Sequence, residues 1–164
     1  MTMLQTGARA PDFRLPTLDG SKFALKDALA RGPVLVGFVK SDCRTCQVAF
    51  PYLQRLWTTY ADRPWSMVFV AQDRPEAIQR QVDAHGLTMP IAIEHGPYPV
   101  SESYDPDATP TYFWIEPDGT ISKVALAFIK KDLNEFAALA AGQSNAETPD
   151  IAPDDDGQPP FKPG

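Results

Sequence analysis

The run "PVLVGFV", residues 33–39, constrains this chain more than any other stretch, because it is apolar without a break and rich in valine. Alternating apolar and polar residues would leave one face of a strand in water, whereas an unbroken run needs cover on both faces. A second such run, "SMVFVA", occupies residues 66–71. Two strands of this kind imply a sheet held between layers, and the neighbouring segments supply them. From Cys46 onward, Ala49, Phe50, Leu53, Leu56, Trp57 and Tyr60 recur at helical spacing. "RPEAIQRQVDAHG" predicts a helix with Pro75 in its first turn and Gly86 at its end. Near the start, "DFRLPTLDGSKFAL" predicts a hairpin, with Leu15 and Leu18 before the Asp19-Gly20 turn and Phe23 and Leu25 after it. Beyond a proline-rich loop, "TYFWIE", the turn Pro117-Asp118-Gly119 and "TISKVALAF" predict a second hairpin. Asp132 to about Ala141 then predicts a final helix with Leu133, Phe136, Ala137 and Ala140 on one face. The fold class is α/β: a central mixed β-sheet flanked by helices, with an N-terminal β-hairpin extension.

At 164 residues and 43% hydrophobic content, the chain can bury one core without covalent staples. The net charge of −6 sits mostly in residues 142–164, which carry Glu147, Asp150, Asp154, Asp155 and Asp156 against Lys162 alone. A nearly neutral body and an acidic end give no electrostatic footprint for nucleic acid. The organisation expected is a domain over residues 1–141 and an acidic, proline-rich flexible tail over 142–164, whose few apolar residues offer little surface to bury. A docking role for its "PPFKP" is the functional alternative. No stretch approaches the roughly 18 apolar residues of a spanning helix, and the start has no signal-like apolar core. A cytoplasmic chain without a membrane segment is the expectation.

The only cysteines, Cys43 and Cys46, fall in "SDCRTCQVAFP", directly after the first buried strand and at the first turn of the helix that follows. A disulfide between them would close too short a loop to stabilise the fold much. Their position has chemical meaning instead. The first backbone N–H groups of a helix lack intrahelical partners and the macrodipole is positive there, so a thiolate on the first turn is stabilised. Spacing of three residues brings the second sulfur to the same side of the turn, within reach of a mixed disulfide formed by the first.

These residues resemble the thioredoxin superfamily, and more closely its redoxin or TlpA-like thiol:disulfide oxidoreductases. The likeness runs from about Gly7 to Ala141. "GARAPDFRLPTLDGSKFAL" is similar to the opening hairpin of that branch, "CRTCQVAFP" to its active-site helix with Pro51 included, and "ATPTYFWIEPDGTI" to the segment bearing its cis-proline. The resemblance implies a thioredoxin-like fold, Cys43 and Cys46 as catalytic residues, and a cis Pro110 facing them. It also implies that the backbone of Thr109 pairs with an extended substrate segment, with Arg44 and Thr45 beside it. The partners implied are disulfide-containing protein substrates and an upstream thiol reductant; no cofactor and no metal is expected.

Departures from the family pattern bear on mechanism. Asp42 replaces the usual aromatic residue before the first cysteine and opposes thiolate formation there, while Arg44 favours it. Gly37 stands six residues before Cys43, where many thioredoxins keep a buried acid that accepts a proton from the second cysteine. Lys40 and Asp42 read as solvated loop charges. The rival enzyme is a peroxiredoxin, but the threonine three residues before its peroxidatic cysteine and the proline seven before correspond to Lys40 and Val36 for Cys43, and to Cys43 and Val39 for Cys46. A non-catalytic thioredoxin-like adaptor is the other rival. A zinc site from both cysteines with His85 and His95 lacks the usual ligand spacing, copper delivery resembles C-x-x-x-C, and haem attachment needs histidine where Gln47 stands. Trp57 and Trp114 fall in helix and strand patterns and are expected to pack in the core.

Overall fold

The computed structural model describes residues 2–142 and 151–164. The first hairpin pairs β1 (Arg14–Pro16) with β2 (Lys22–Ala24), Leu15 opposite Phe23, and a short helix α1 (Leu25–Leu29) follows. Leu25 therefore starts a helix rather than extending the strand. The sheet begins with β3 (Val34–Val39), and α2 (Arg44–Thr59) crosses to β4 (Ser66–Ala71), which is parallel to β3. Next come α3 (Pro75–His85), β5 (Ile91–Ile93) parallel to β4, and α4 (Pro99–Tyr104). The antiparallel pair β6 (Thr111–Ile115) and β7 (Ile121–Leu126) completes a five-stranded sheet in the order β5-β4-β3-β6-β7. After β8 (Phe128–Ile129) and α5 (Lys130–Ala141), β9 (Phe161–Lys162) returns to pair with β8.

All six residues of β3 are buried, as the unbroken run requires, and the sheet divides two apolar clusters. On one side α2 and α5 pack through Leu53, Leu56, Leu133 and Phe136 against Leu35, Met67 and Trp114 of the sheet. Trp65 stacks on Trp114 with centroids 5.9 Å apart and meets Trp57 edge-on at 5.5 Å, which gives both tryptophans a packing role. On the other side the hairpin and α1 cover Val34, Val36 and Phe113. Beside Thr17 and Leu18 the turn of the first hairpin joins β5: Leu18 N–H donates to the Ile91 carbonyl at 3.0 Å, and Thr17 bridges Ala92.

Composition predicts a flexible appendage after Ala141, and part of that segment, residues 143–150, lies outside the described residues. Residues 151–164 lie against the domain. Ile151 and Ala152 are 2% and 1% exposed and join the cluster beneath α2 and α5. Lys130, buried at the start of α5, donates to the Asp156 carboxylate at 2.6 Å and to the Pro153 and Gln158 carbonyls at 2.7 and 2.8 Å. Average polarity does not register so small a set of well-placed contacts, and a lysine is buried only where partners meet its charge.

Gly37, in the middle of β3, is held between aromatic rings: a Cβ there would stand 3.1 Å from both Phe69 and Tyr112. Those rings are fully buried, so making room means shifting them inside a packed core. Replacing Gly37 by Ala should therefore cost about 1–3 kcal/mol despite the better strand propensity of alanine. Urea unfolding measures it, and a variant as stable as the parent would show that the two rings can give way.

Candidate active site

β3 ends at Val39, and the loop Lys40–Asp42 delivers the chain to α2 with Cys43 as the N-cap residue. This loop is braced from outside: Ser41 donates through its backbone N–H to Asp73 at 3.1 Å and through its hydroxyl at 2.5 Å, and Gln47 donates to the Ser41 carbonyl at 2.9 Å. Asp73 lies in the β4–α3 loop, far away in sequence, which is why spacing around the cysteines gives no hint of it.

The two sulfurs occupy different surroundings. Cys43 is half-buried; its Sγ accepts from the Cys46 backbone N–H at 3.1 Å and donates to the Thr109 carbonyl at 3.3 Å. It thus takes one of the orphan donors of the helix start, the capping role more often filled by serine or aspartate. Cys46 is 0% exposed, inside the apolar cluster with Ala49, Phe50 and Leu53. Burial pushes its thiol far above the ordinary value of 9.0, and proximity to Cys43 adds to this, while the Lys40 backbone and the Thr109 side chain oppose it.

The opposite wall is the loop before β6. The Thr109–Pro110 peptide is cis, the geometry that the family resemblance implies. The Pro110 carbonyl accepts from Ala127 N–H at 2.8 Å and Thr111 Oγ1 donates to the Ala108 carbonyl at 2.6 Å, so the loop is tied to the end of the β6–β7 pair where β6 begins and β7 finishes. Arg44 is exposed, and Thr45 is buried with its hydroxyl donating to the Pro163 carbonyl. Cys43, Thr109 and Pro110 thus come together, Cys46 lies directly beneath, Thr45 is turned to the returning chain and Arg44 to solvent. Pro51 is exposed within α2, where it cannot donate to Gln47.

An acid at position 37 would have to push the Phe69 and Tyr112 rings aside, since even a Cβ there would stand 3.1 Å from each. The Tyr112 hydroxyl, fully buried in this cluster, has no hydrogen-bond partner among the described residues. Asp42 and Lys40 are exposed. His85 lies against the Phe50 ring with centroids 5.6 Å apart, and His95 is exposed. Among the described residues no group of three or more His, Cys, Asp or Glu converges on a point where a metal could sit, and no helix is long and apolar enough to cross a membrane.

Residues 6–124 match the model of the AhpC/TSA family. The chain belongs to the AhpC/TSA family. Among curated relatives of this AhpC/TSA chain, the thiol-disulfide oxidoreductase ResA of Bacillus anthracis is 30% identical over 119 residues, covering 72% of this chain and 68% of the relative. The thioredoxin-like protein YneN of Bacillus subtilis is 31% identical over 132 residues, covering 78% of this chain and 75% of its own length. The thioredoxin domain of a thiol-disulfide oxidoreductase from Bacteroides vulgatus superposes with a TM-score of 0.74 at 24% identity, over 83% of this chain and 97% of that one. This AhpC/TSA chain therefore has the thioredoxin-like fold, with a mixed sheet, flanking helices and an N-terminal hairpin, and stands with the TlpA-like branch of the superfamily.

The buried Cys46 thiol has a consequence for stability. Its titration is raised in the folded state, so the unfolded chain loses this proton first: the contribution is complete below pH 9.0 and is lost as pH rises above it. The stability difference between the reduced protein and its Cys46→Ala variant should hold constant through neutral pH and shrink between about pH 9 and about pH 10.5. Denaturant unfolding of both proteins across that range checks it; a difference independent of pH would place Cys46 in contact with water.

Proposed function

We propose that this chain is a thiol:disulfide oxidoreductase that reduces protein disulfides, with Cys43 attacking and Cys46 resolving. The observation that carries the assignment is the inequality of the two sulfurs: one half-exposed at a helix start and accepting from a backbone N–H, the other fully buried three residues on. Only the first can meet a folded or partly folded substrate.

In the reaction, the Cys43 thiolate attacks one sulfur of a substrate disulfide. The substrate S–S bond breaks, a Cys43–substrate mixed disulfide forms, and the departing sulfur takes up a proton. Cys46 then attacks Cys43 Sγ, losing its proton to the second departing substrate sulfur. The substrate leaves with two thiols and the protein holds a Cys43–Cys46 disulfide, so two electrons have moved. With rings crowding the space beside Gly37, the leaving thiolate of the substrate is the acceptor of the Cys46 proton. An upstream thiol reductant returns the pair to thiols. A reducing compartment such as the cytoplasm suits this direction.

The substrate chain would lie along the Thr109–Pro110 loop, with the Thr109 backbone as its partner and Arg44 and Thr45 flanking it. The Thr109 carbonyl already lies 3.3 Å from the Cys43 sulfur, so a chain paired to that residue presents its own sulfur at reacting distance. A peroxidase reading has less behind it: Lys40 and Val36 stand where a peroxidatic cysteine would have its threonine and proline.

The Cys46→Ser variant should accumulate mixed disulfides with protein substrates, visible on non-reducing gels, because nothing then releases the bond. Cys43→Ser should trap almost none, its remaining thiol being buried and protonated near neutral pH. Equal trapping by the two variants would invert the roles. Hydrogen peroxide should be consumed far more slowly than a protein disulfide is reduced, and comparable rates would favour the peroxidase.

A further inference from the structure

We propose that residues 159–164 form a strap across the substrate groove between the start of α2 and the Thr109–Pro110 loop, so that a protein disulfide reaches Cys43 only when the strap lifts. This rests on the reading that Cys43 is the attacking thiol.

The strap touches both walls of the site. On one side, the Pro163 carbonyl accepts from the Thr45 hydroxyl, two residues beyond Cys43. On the other, Gly164 lies against the carbonyl of Thr109, so closely that a Cβ on residue 164 would come within 2.5 Å of that oxygen. Only glycine fits such an approach. The same carbonyl accepts from Cys43, and Gly164 also lines a surface groove of about 560 Å³ with Lys40, Ala108 and Thr109. The chain thus occupies the backbone edge at Thr109 that an extended substrate would need.

The segment is held firmly before residue 159 and lightly after it. Ile151 and Ala152 are buried in the core, the Arg55 guanidinium donates to the Ile151 carbonyl at 2.9 Å, and Asn134 exchanges hydrogen bonds with the Ala152 backbone. Next comes the clasp: the Lys130 ammonium binds Asp156, whose carboxylate also accepts from the Tyr52 hydroxyl, and holds the Asp156 carboxyl well below the usual carboxylate range. Past it the Pro160 carbonyl accepts from the Lys130 backbone N–H at 3.0 Å, Lys162 and Phe161 pair with Phe128 and Ile129, the Phe161 ring is 55% exposed, and the two contacts at the site follow. Such a short ladder is marginal alone. Residues 159–164 can therefore detach while the clasp holds, and a substrate chain with more partners than the strap displaces them.

A strap closed in about nine molecules of ten lowers the accessible fraction of the site about tenfold. The reduced protein is labelled at Cys43 with N-ethylmaleimide and, separately, with the same maleimide carried on a polyethylene glycol chain. Two variants are compared with the full chain: one lacking residues 159–164, and Lys130→Met, which opens the clasp while keeping every residue of the strap. In both, the polymer-borne reagent should react several-fold faster, up to about tenfold, while the small reagent changes by less than about twofold. An unchanged or slower polymer reaction in both variants overturns the strap, as does an equal acceleration of both reagents, which would mean that the thiol itself had changed. The readout is accessibility and not turnover, so the strap can fail with disulfide reduction intact, and disulfide reduction can fail with the strap intact.

Discussion

The site depends on one meeting of backbone and sulfur: the start of α2 against the Thr109–Pro110 loop, with Cys43 Sγ between the Cys46 N–H at 3.1 Å and the Thr109 carbonyl at 3.3 Å. That meeting follows from the sheet. β3 pairs with β4 on one side and antiparallel β6 on the other, Phe38 opposite Thr111, so the end of β3 that feeds α2 lies beside the beginning of β6. A helix start and a loop far apart in the chain are thus brought into contact by strand register alone. The packing on both faces of β3 holds that register, because a one-residue slip would turn every side chain into the opposite cluster and drive Val36 or Phe38 into the space between Phe69 and Tyr112 that Gly37 fits.

Much of this was legible in the residues. Apolar runs marked β3 and β4, helical spacing marked α2, and Pro75 with Gly86 bounded α3, where glycine takes φ 61° at the C-cap. The motif "CRTC" at a strand–helix junction pointed to the dithiol, and the segment "ATPTYF" to the opposing loop. β5 escaped notice because it is three residues long, Ile91–Ile93, and sits inside what reads as a proline-rich loop. α4 escaped for a similar reason: its start is secured by Glu94, a buried carboxylate that accepts from the backbone N–H groups of Val100 and Ser101, and nothing local advertises that contact. The brace from Asp73 to Ser41 is likewise a tertiary fact. The returning segment was hidden by its average. An acidic, proline-rich composition says nothing of Ile151 and Ala152 entering the core or of Lys130 waiting beneath them.

Gly37 links packing to chemistry. Where a carboxylate could have served the second cysteine, Phe69 and Tyr112 crowd the space, and burial keeps Cys46 in its neutral form. On the proposed mechanism, a substrate attached to Cys43 brings the base with it, because the departing sulfur accepts the Cys46 proton. In that mechanism the second step is tied to the presence of substrate, and burial keeps Cys46 in its thiol form between encounters.

The central claim is that Cys43 and Cys46 change redox state as one pair, and equilibration with glutathione buffers of graded potential tests it most directly, with both thiols counted by alkylation and mass. The pair should pass through a single two-electron transition, about 30 mV per tenfold change in ratio, in which both thiols disappear together and a Cys43–Cys46 disulfide appears. If Cys43 instead accumulates as a glutathione adduct or an oxyacid while Cys46 stays a free thiol throughout, the two cysteines do not work as an exchange pair and the account fails.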